Sequence, residues 1–144
     1  MEDVQRLAAR LVVQFDNAAR RHESLGHDSA ILRSRLIRKG FALASNREFG
    51  RQALETVWQA AYAHPFKSWR RQDAVPADWF ASHLVVCRGE WLTLAGDEQP
   101  YGWLAQIYCG DLARYAKDLE MARNWYLRAA IGAPHEGLPL NQLA

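Results

Sequence analysis

The residues best suited by type and spacing to contact a nucleic acid are basic side chains around one tryptophan. Lys67, Arg70 and Arg71 flank Trp69 in the segment KSWRRQD. Such groups can hold phosphates while the aromatic ring stacks on a base, which suits a single-stranded nucleic acid. The ordinary alternative is that these basic residues lie at the end of a helix and contact only solvent. The formal net charge of +2, from 18 basic and 16 acidic residues, favours that alternative, because nucleic-acid-binding domains usually carry a larger basic excess.

The sequence carries no pattern typical of a metal site or a catalytic centre. Its five histidines form no close pair and no Cys/His spacing of a zinc site. Cys87 and Cys109 lie among apolar residues, so we expect buried thiols. A nucleophile elbow, a Cys–His signature and a Gly-rich phosphate loop are all missing. We therefore expect a protein that is not an enzyme, with no metal and no cofactor.

Cysteine usage and hydropathy indicate the compartment. Two cysteines do not make a disulfide framework, which fits a reducing environment. No stretch approaches the roughly 20 apolar residues of a membrane span. The N-terminal segment MEDVQRL lacks the apolar region of a signal peptide. We expect a cytoplasmic protein with no membrane partner, and shuttling to the nucleus remains open.

The elements that must position these residues are predicted to be helices. Apolar residues recur at i, i+3 and i+4, and no alternating run indicates a strand. The basic segment RSRLIRK at 33–39 belongs to this pattern, because Leu36 and Ile37 mark one face of a helix. The pattern predicts an all-α, antiparallel array of about six helices plus the start of a seventh. We expect a single domain over residues 1–144, truncated at its C-terminal end because LNQLA supplies only one turn of the seventh helix.

Local signals predict where the helices begin and end. Ser45–Glu48 has the composition of a capping box, which would open the third helix. Pro65 should kink or end that helix, because proline lacks a backbone N–H. Residues 67–73 are then expected to form a connection. Pro76 and Pro100 suit the first turns of the fourth and fifth helices.

The stretch of residues 103–144 contains a helix pair with the spacing of a tetratricopeptide repeat, marked by Gly110, Ala122, Tyr126, Ala129 and Pro134. Gly110, Ala122 and Ala129 are small enough to let two antiparallel helices approach closely. Tyr126 would fill the groove between them. Gln106 stands where a conventional repeat has tryptophan, so the repeat is degenerate.

Several motifs in this order resemble one protein family. They are FGRQALETVW (Phe49–Trp58), GDLARY (Gly110–Tyr115), the Ala-x3-Tyr-x2-Ala spacing (Ala122–Ala129), Pro134, and LPLNQLA (Leu138–Ala144). Together they look like the 14-3-3-like N-terminal domain of the Est/Smg family, which contains the telomerase-activating Est protein and the Smg adaptors of nonsense-mediated mRNA decay. The strong resemblance covers about a third of the chain.

The resemblance implies a non-catalytic adaptor domain. Its partner would be a phosphoserine-containing protein such as the RNA helicase of nonsense-mediated mRNA decay, or its role would be linked to telomerase. A paralogue heterodimer and contacts with RNA or telomeric DNA are further partners that stay open. Two alternatives remain beside this interpretation. One is a generic helical scaffold that binds a partner peptide without reading phosphate. The other is a weak nucleic-acid-binding domain that uses Lys67, Arg70 and Arg71.

The resemblance also implies a site. GD-x-x-RY is similar to the phosphate-binding helix of 14-3-3 proteins, so Arg114 would bind the phosphate and Tyr115 would add a hydroxyl donor. A guanidinium suits this role because its rigid fork matches two phosphate oxygens. Family members that bind phosphopeptides carry a lysine where this chain has Ala63, so one cation of the site is missing. The ordinary alternative is that Arg114 pairs with Asp111 or Asp118 on the helix surface.

Overall fold

The computed structural model describes residues 1–21, 26–72 and 76–143, except for the side chains of residues 70–72. These residues form helices and turns and contain no strand, so the prediction of an all-α helical array is confirmed. A π-helical turn, Gln59–Ala63, joins the third and fourth helices. The helices are α1 Glu2–Arg20, α2 His27–Ala42, α3 Gly50–Trp58, α4 His64–Gln72, α5 Ala77–Leu92, α6 Gly102–Tyr115, α7 Leu119–Gly132 and α8 Gly137–Leu143.

The chain divides into two compact units, Met1–Ala74 and Val75–Ala144. In the first unit, α1 and α2 form a hairpin whose apolar faces pack on α3 and on the π-helical turn. The apolar stripe at helical spacing explains this arrangement, because one face of each helix must leave water. The largest fully buried side chains of this core are Leu7, Leu36, Leu54, Tyr62 and Phe66.

The helix that contains Pro65 does not end there. Residues 67–73, predicted to be a connection, are helical in α4 as far as the structure describes them, so that prediction is wrong. Proline cannot donate to the carbonyl of Ala61, four residues earlier. The chain accommodates it with the π-helical turn Gln59–Ala63, which ends two residues before Pro65. Arg33 Nε then donates to the Ala61 carbonyl oxygen at 3.5 Å, which supplies the missing hydrogen bond.

The start of α3 also differs from the predicted capping box. Ser45 lies in a turn, and α3 begins at Gly50. Asn46 is the residue that satisfies the free backbone amides, because its Oδ1 accepts from the N–H groups of Glu48 and Phe49 at 2.9 Å each. Asparagine forms such local turns readily through its short amide side chain.

In the second unit, α6 is the central helix, and α5 and α7 pack against it while α8 packs on α7. Most of its residues are buried, which fits a helix with apolar residues on nearly every side. The largest fully buried side chains around it are Trp91, Leu104, Ile107 and Leu112. None of the helices in the described part of the chain is long and apolar enough to span a membrane.

The close approach of α6 and α7 follows the predicted pattern. Ala122, Tyr126 and Ala129 are buried on the α6-facing side of α7. A Cβ atom added to Gly110 would overlap the Tyr126 ring, with Cδ1 only 2.7 Å away. Only glycine therefore lets the tyrosine ring lie against the α6 backbone. The prediction that small residues permit this contact is confirmed.

Candidate functional site

The centre of the candidate site is a buried carboxylate, Asp111, which is only 7% exposed. Tyr126 Oη donates to Asp111 Oδ1 at 2.6 Å, and Gln142 Nε2 donates to the same oxygen at 2.7 Å. These contacts link α6 to α7 and to α8. Because a buried carboxylate is costly without such donors, the three side chains form a polar tie within the second unit.

Burial is the largest influence on the pKa values of Asp111 and Tyr126. It raises the pKa of Asp111, although the hydrogen bond from Tyr126, the charge of Arg114 and the hydrogen bond from Gln142 each lower it. Burial and the neighbouring carboxylate also raise the pKa of Tyr126 well above its usual range. The tyrosine therefore keeps its proton and acts as the donor.

Arg114 lies beside this carboxylate but remains accessible. Its side chain is 46% exposed, and its Nη2 atom is 3.5 Å from Asp111 Oδ1. The predicted ordinary pairing with Asp111 is therefore present, as the longest of the three contacts to that oxygen. Asp118 has a different role, because its Oδ1 accepts from the backbone N–H of Met121 at 3.1 Å and caps α7. Tyr115, the other predicted phosphate contact, is partly buried at the end of α6.

Arg123 is a cation of this region that sequence reasoning missed. The Asp111–Tyr126 contact joins two antiparallel helices. Arg114 follows Asp111 by three residues, and Arg123 precedes Tyr126 by three. The two helices run in opposite directions. Arg114 and Arg123 therefore both lie one helical turn closer to the α6–α7 loop than the Asp111–Tyr126 contact, and on the same side of their helices as that contact. Arg123 is exposed. The i, i+3 spacing to Tyr126 was the signal that could have found it.

Ala63 is buried, with 4% of its surface exposed. It belongs to the π-helical turn of the first unit, so the position at which the resemblance would expect a lysine holds a small packed side chain here. A charged residue at this position would lose its hydration, which is costly without a partner.

The basic segment around Trp69 lies in α4. The Trp69 ring makes an edge contact with Phe15, with ring centroids 5.9 Å apart, and a tilted contact with Phe66 at 5.7 Å. Trp69 therefore takes part in the apolar packing of the first unit. Lys67 is exposed, while the side chains of Arg70 and Arg71 lie outside the described part of the chain. This segment thus combines one accessible lysine with a tryptophan that packs on core aromatics.

A second polar network, also missed from the sequence, surrounds Gln106. This buried side chain donates through Nε2 to the Ala95 carbonyl at 2.9 Å and to Asp97 Oδ1 at 2.7 Å. Arg128 Nε donates to the same Asp97 oxygen at 3.2 Å. The hydrogen bonds from Gln106 and then Arg128 lower the pKa of Asp97. Gln106, at the position where a tetratricopeptide repeat carries tryptophan, thus ties the α5–α6 loop to α6, and Arg128 ties the same loop to α7.

Burial disfavours reactivity of the Cys109 thiol, and no metal cluster is found among the described residues. Cys87 and Cys109 are both buried, as predicted, and burial raises the pKa of Cys109 to about 12. A thiol with a pKa raised this far is rarely a thiolate at neutral pH. No group of three or more His, Cys, Asp or Glu side chains in residues 1–21, 26–72 and 76–143 could hold a metal ion.

Comparison with protein-family models, with curated proteins and with solved structures finds no match to this chain. The likeness to the Est/Smg family therefore rests on the sequence motifs given above. The all-α architecture is compatible with that likeness, but helical arrays serve many functions.

Proposed function

We propose that this chain is a non-catalytic interaction domain that binds a phosphorylated segment of a protein partner through Arg114. The observation that carries the proposal is the loose anchoring of this half-exposed guanidinium to Asp111. The two shorter hydrogen bonds to Asp111 come from Tyr126 and Gln142. Arg114 can therefore turn toward a phosphate while the buried carboxylate keeps two donors, which limits the cost of the exchange.

Arg123 supplies the second charge in this proposal. A phosphate dianion held by a single guanidinium would bind weakly, because one cation leaves part of its charge without a partner. By their helix positions, Arg114 and Arg123 each lie one turn from the Asp111–Tyr126 contact toward the α6–α7 loop, so a phosphate bound there would lie near two guanidinium groups. The Est/Smg resemblance favours a phosphoserine partner such as the helicase of nonsense-mediated mRNA decay, or a telomerase-linked partner.

Asp111 sets the expected strength of this interaction. Its carboxylate competes with phosphate for Arg114 and repels a dianion. Charge-assisted hydrogen bonds contribute about 1.5–3 kcal/mol, so phosphorylation should improve affinity by about one to two decades. Asp111→Asn should strengthen binding, because an amide can still accept from Tyr126 and Gln142 but no longer holds Arg114 electrostatically.

Calorimetry with a phosphoserine peptide and its unphosphorylated twin tests the proposal. Wild type should prefer the phosphopeptide, Arg114→Gln should lose the preference, and Asp111→Asn should increase it. Arg21→Gln is the matched control, because it removes the same charge from an exposed position in the other unit. Equal affinities of the wild type for both peptides would reject the phosphate function, as would an equal loss in the control.

A second candidate function is a scaffold that binds a partner helix without phosphate. The observation in its favour is an open groove beside α7. Leu127 and Ile131 lie four residues apart and are both exposed there, with Asp97 and Arg128 at the edge. An apolar pair bordered by charges suits the apolar face of an amphipathic helix. This scaffold is the function that remains if the two peptides bind equally.

A further inference from the structure

The α1–α2 hairpin of the first unit carries more positive charge than its own carboxylates balance. Asp3 accepts from Arg6 Nη2 at 2.8 Å and from Lys39 Nζ at 3.4 Å, so one carboxylate serves two cations. Arg35 and Arg10 are exposed and have no carboxylate within salt-bridge distance among the described residues. The charge is concentrated in this half of the chain, because residues 1–74 hold thirteen of the 18 Lys and Arg residues but eight of the 16 acids.

Two contacts between the helices fix where these cations lie. Lys39 meets Asp3 at one end, and Ser29 Oγ donates to Gln14 Oε1 at 2.6 Å toward the other. Arg10 lies seven residues after Asp3, and Arg35 lies four residues before Lys39. Both therefore fall between the two contacts, on the same edge of the hairpin. With a rise of 1.5 Å per residue, they are about 5 Å apart along the axis. Like charges so placed repel unless an anion lies between them.

An exposed aliphatic pair continues the same face. Val13 is 56% exposed and Ile31 is 47% exposed. Val13 lies three residues after Arg10 on α1, and Ile31 lies four residues before Arg35 on α2, so each aliphatic side chain neighbours one of the two arginines on its helix surface. The hairpin thus presents an outer face that is basic near Asp3 and Lys39 and aliphatic near Gln14 and Ser29.

We infer that this outer face of the α1–α2 hairpin docks an acidic protein segment that also carries aliphatic side chains. Carboxylates of the segment would pair with Arg10 and Arg35, and an apolar side chain would cover Val13 and Ile31. Charge complementarity steers such partners, while the apolar contact contributes affinity. A nucleic acid would use the cations alone. It would find no exposed aromatic ring here, because Phe15 and Phe41, the only Phe, Tyr or Trp residues of α1 and α2, are buried and partly buried respectively.

Fluorescence anisotropy with three labelled probes tests this inference. The first is a 16-residue peptide of Glu, Ala and Leu with Leu at helical spacing. The second is the same peptide with each Leu replaced by Ser, which keeps the charge. The third is a short DNA duplex. Wild type should bind the Leu peptide about tenfold more tightly than the Ser peptide, since partial burial of two aliphatic side chains contributes roughly that factor.

Paired variants assign the binding to this face. Arg10→Glu with Arg35→Glu should weaken binding of the Leu peptide about tenfold, which is the effect expected of a few exposed ion pairs. Val13→Ser with Ile31→Ser should reduce the Leu peptide to the affinity of the Ser peptide. The control, Arg21→Glu with Lys67→Glu, changes net charge equally at two other exposed positions of the same unit and should leave binding largely intact.

Several outcomes would overturn the inference. They are no binding of either peptide by the wild type, equal binding of the Leu and Ser peptides, tighter binding of the duplex, and an equal loss in the charge control. If circular dichroism shows that a charge-reversed variant is unfolded, Arg10→Gln with Arg35→Gln replaces it, and the same comparison decides. These results do not depend on Arg114, so they are separate from the phosphate function.

Discussion

Two glycine substitutions in the second unit should change stability in opposite directions. Gly110→Ala should destabilise the domain, and Gly89→Ala should stabilise it. Both glycines lie inside helices, Gly110 in α6 and Gly89 in α5. Alanine gains roughly 1 kcal/mol of helix propensity over glycine at an interior position. The substitutions therefore share this favourable contribution and differ only in what the new methyl group meets.

At Gly89 the added Cβ meets nothing within 4 Å, so the full propensity gain of about 0.5–1 kcal/mol is expected. At Gly110 it would overlap the Tyr126 ring, with Cζ at 3.0 Å. The ring cannot swing aside freely, because its hydroxyl is held by Asp111 at 2.6 Å. Overpacking of this kind costs about 1–3 kcal/mol, and a strained hydrogen bond adds roughly 1 kcal/mol. We expect a net loss near 2 kcal/mol for Gly110→Ala.

Urea denaturation followed by circular dichroism measures both effects, with the slope m checked for constancy so that midpoints report stability. Because the chain has two compact units, hydrogen exchange of the α6 amides should also be measured, so that the change in stability is assigned to the second unit. Gly110→Ala should cost less in a Tyr126→Leu background than in the wild type, since the smaller side chain leaves room for the methyl group. A Gly110→Ala protein as stable as Gly89→Ala would refute this account of the α6–α7 contact.

Three further predictions concern charge. Ala63→Lys, which would restore the cation expected from the family resemblance, should lower the thermal midpoint markedly, because Ala63 is buried and the ammonium would lose its hydration. Arg123→Gln should reduce the phosphopeptide preference in calorimetry by about threefold to tenfold without lowering stability, whereas an unchanged preference would remove Arg123 from the site. The raised pKa of Asp111 means that the folded state binds its proton more readily than the unfolded chain, so this group's contribution to stability falls as pH rises from the ordinary Asp value through the raised pKa. Wild type should therefore gain stability relative to Asp111→Asn as pH is lowered through that range, and parallel pH profiles in urea titrations would contradict the shift.

The helical architecture could be predicted from the sequence because its causes are local. Apolar residues at a period of 3.6 specify which face of a helix leaves water, and this pattern does not depend on the partner helix. The same locality explains why the α6–α7 contact was predictable. The small side chains of Gly110, Ala122 and Ala129 indicate that two helices pack closely. The structure places Tyr126 in the space that they leave.

Local signals failed where a distant group changed their meaning. Pro65 usually ends a helix, yet the π-helical turn before it and the donor from Arg33, which lies on another helix, let α4 continue. The capping box at Ser45 was a sound local pattern, but Asn46 competes for the same backbone amides from one residue further along. In both places several local solutions were available, and the packing of neighbouring helices selected one.

The sequence by itself determined that this chain forms helices, which of their faces are apolar, and that two of them pack closely. Only the tertiary structure decided which polar groups meet. The buried carboxylate of Asp111 accepts hydrogen bonds from Tyr126 and Gln142, which lie on two other helices and up to 31 residues away. The spacing of these three residues in the sequence does not predict that they meet. The contact of Lys39 with Asp3, which joins α2 to α1, arises in the same way. Periodicity specifies the burial of a face, whereas electrostatic interactions depend on distances that exist only after the helices have packed.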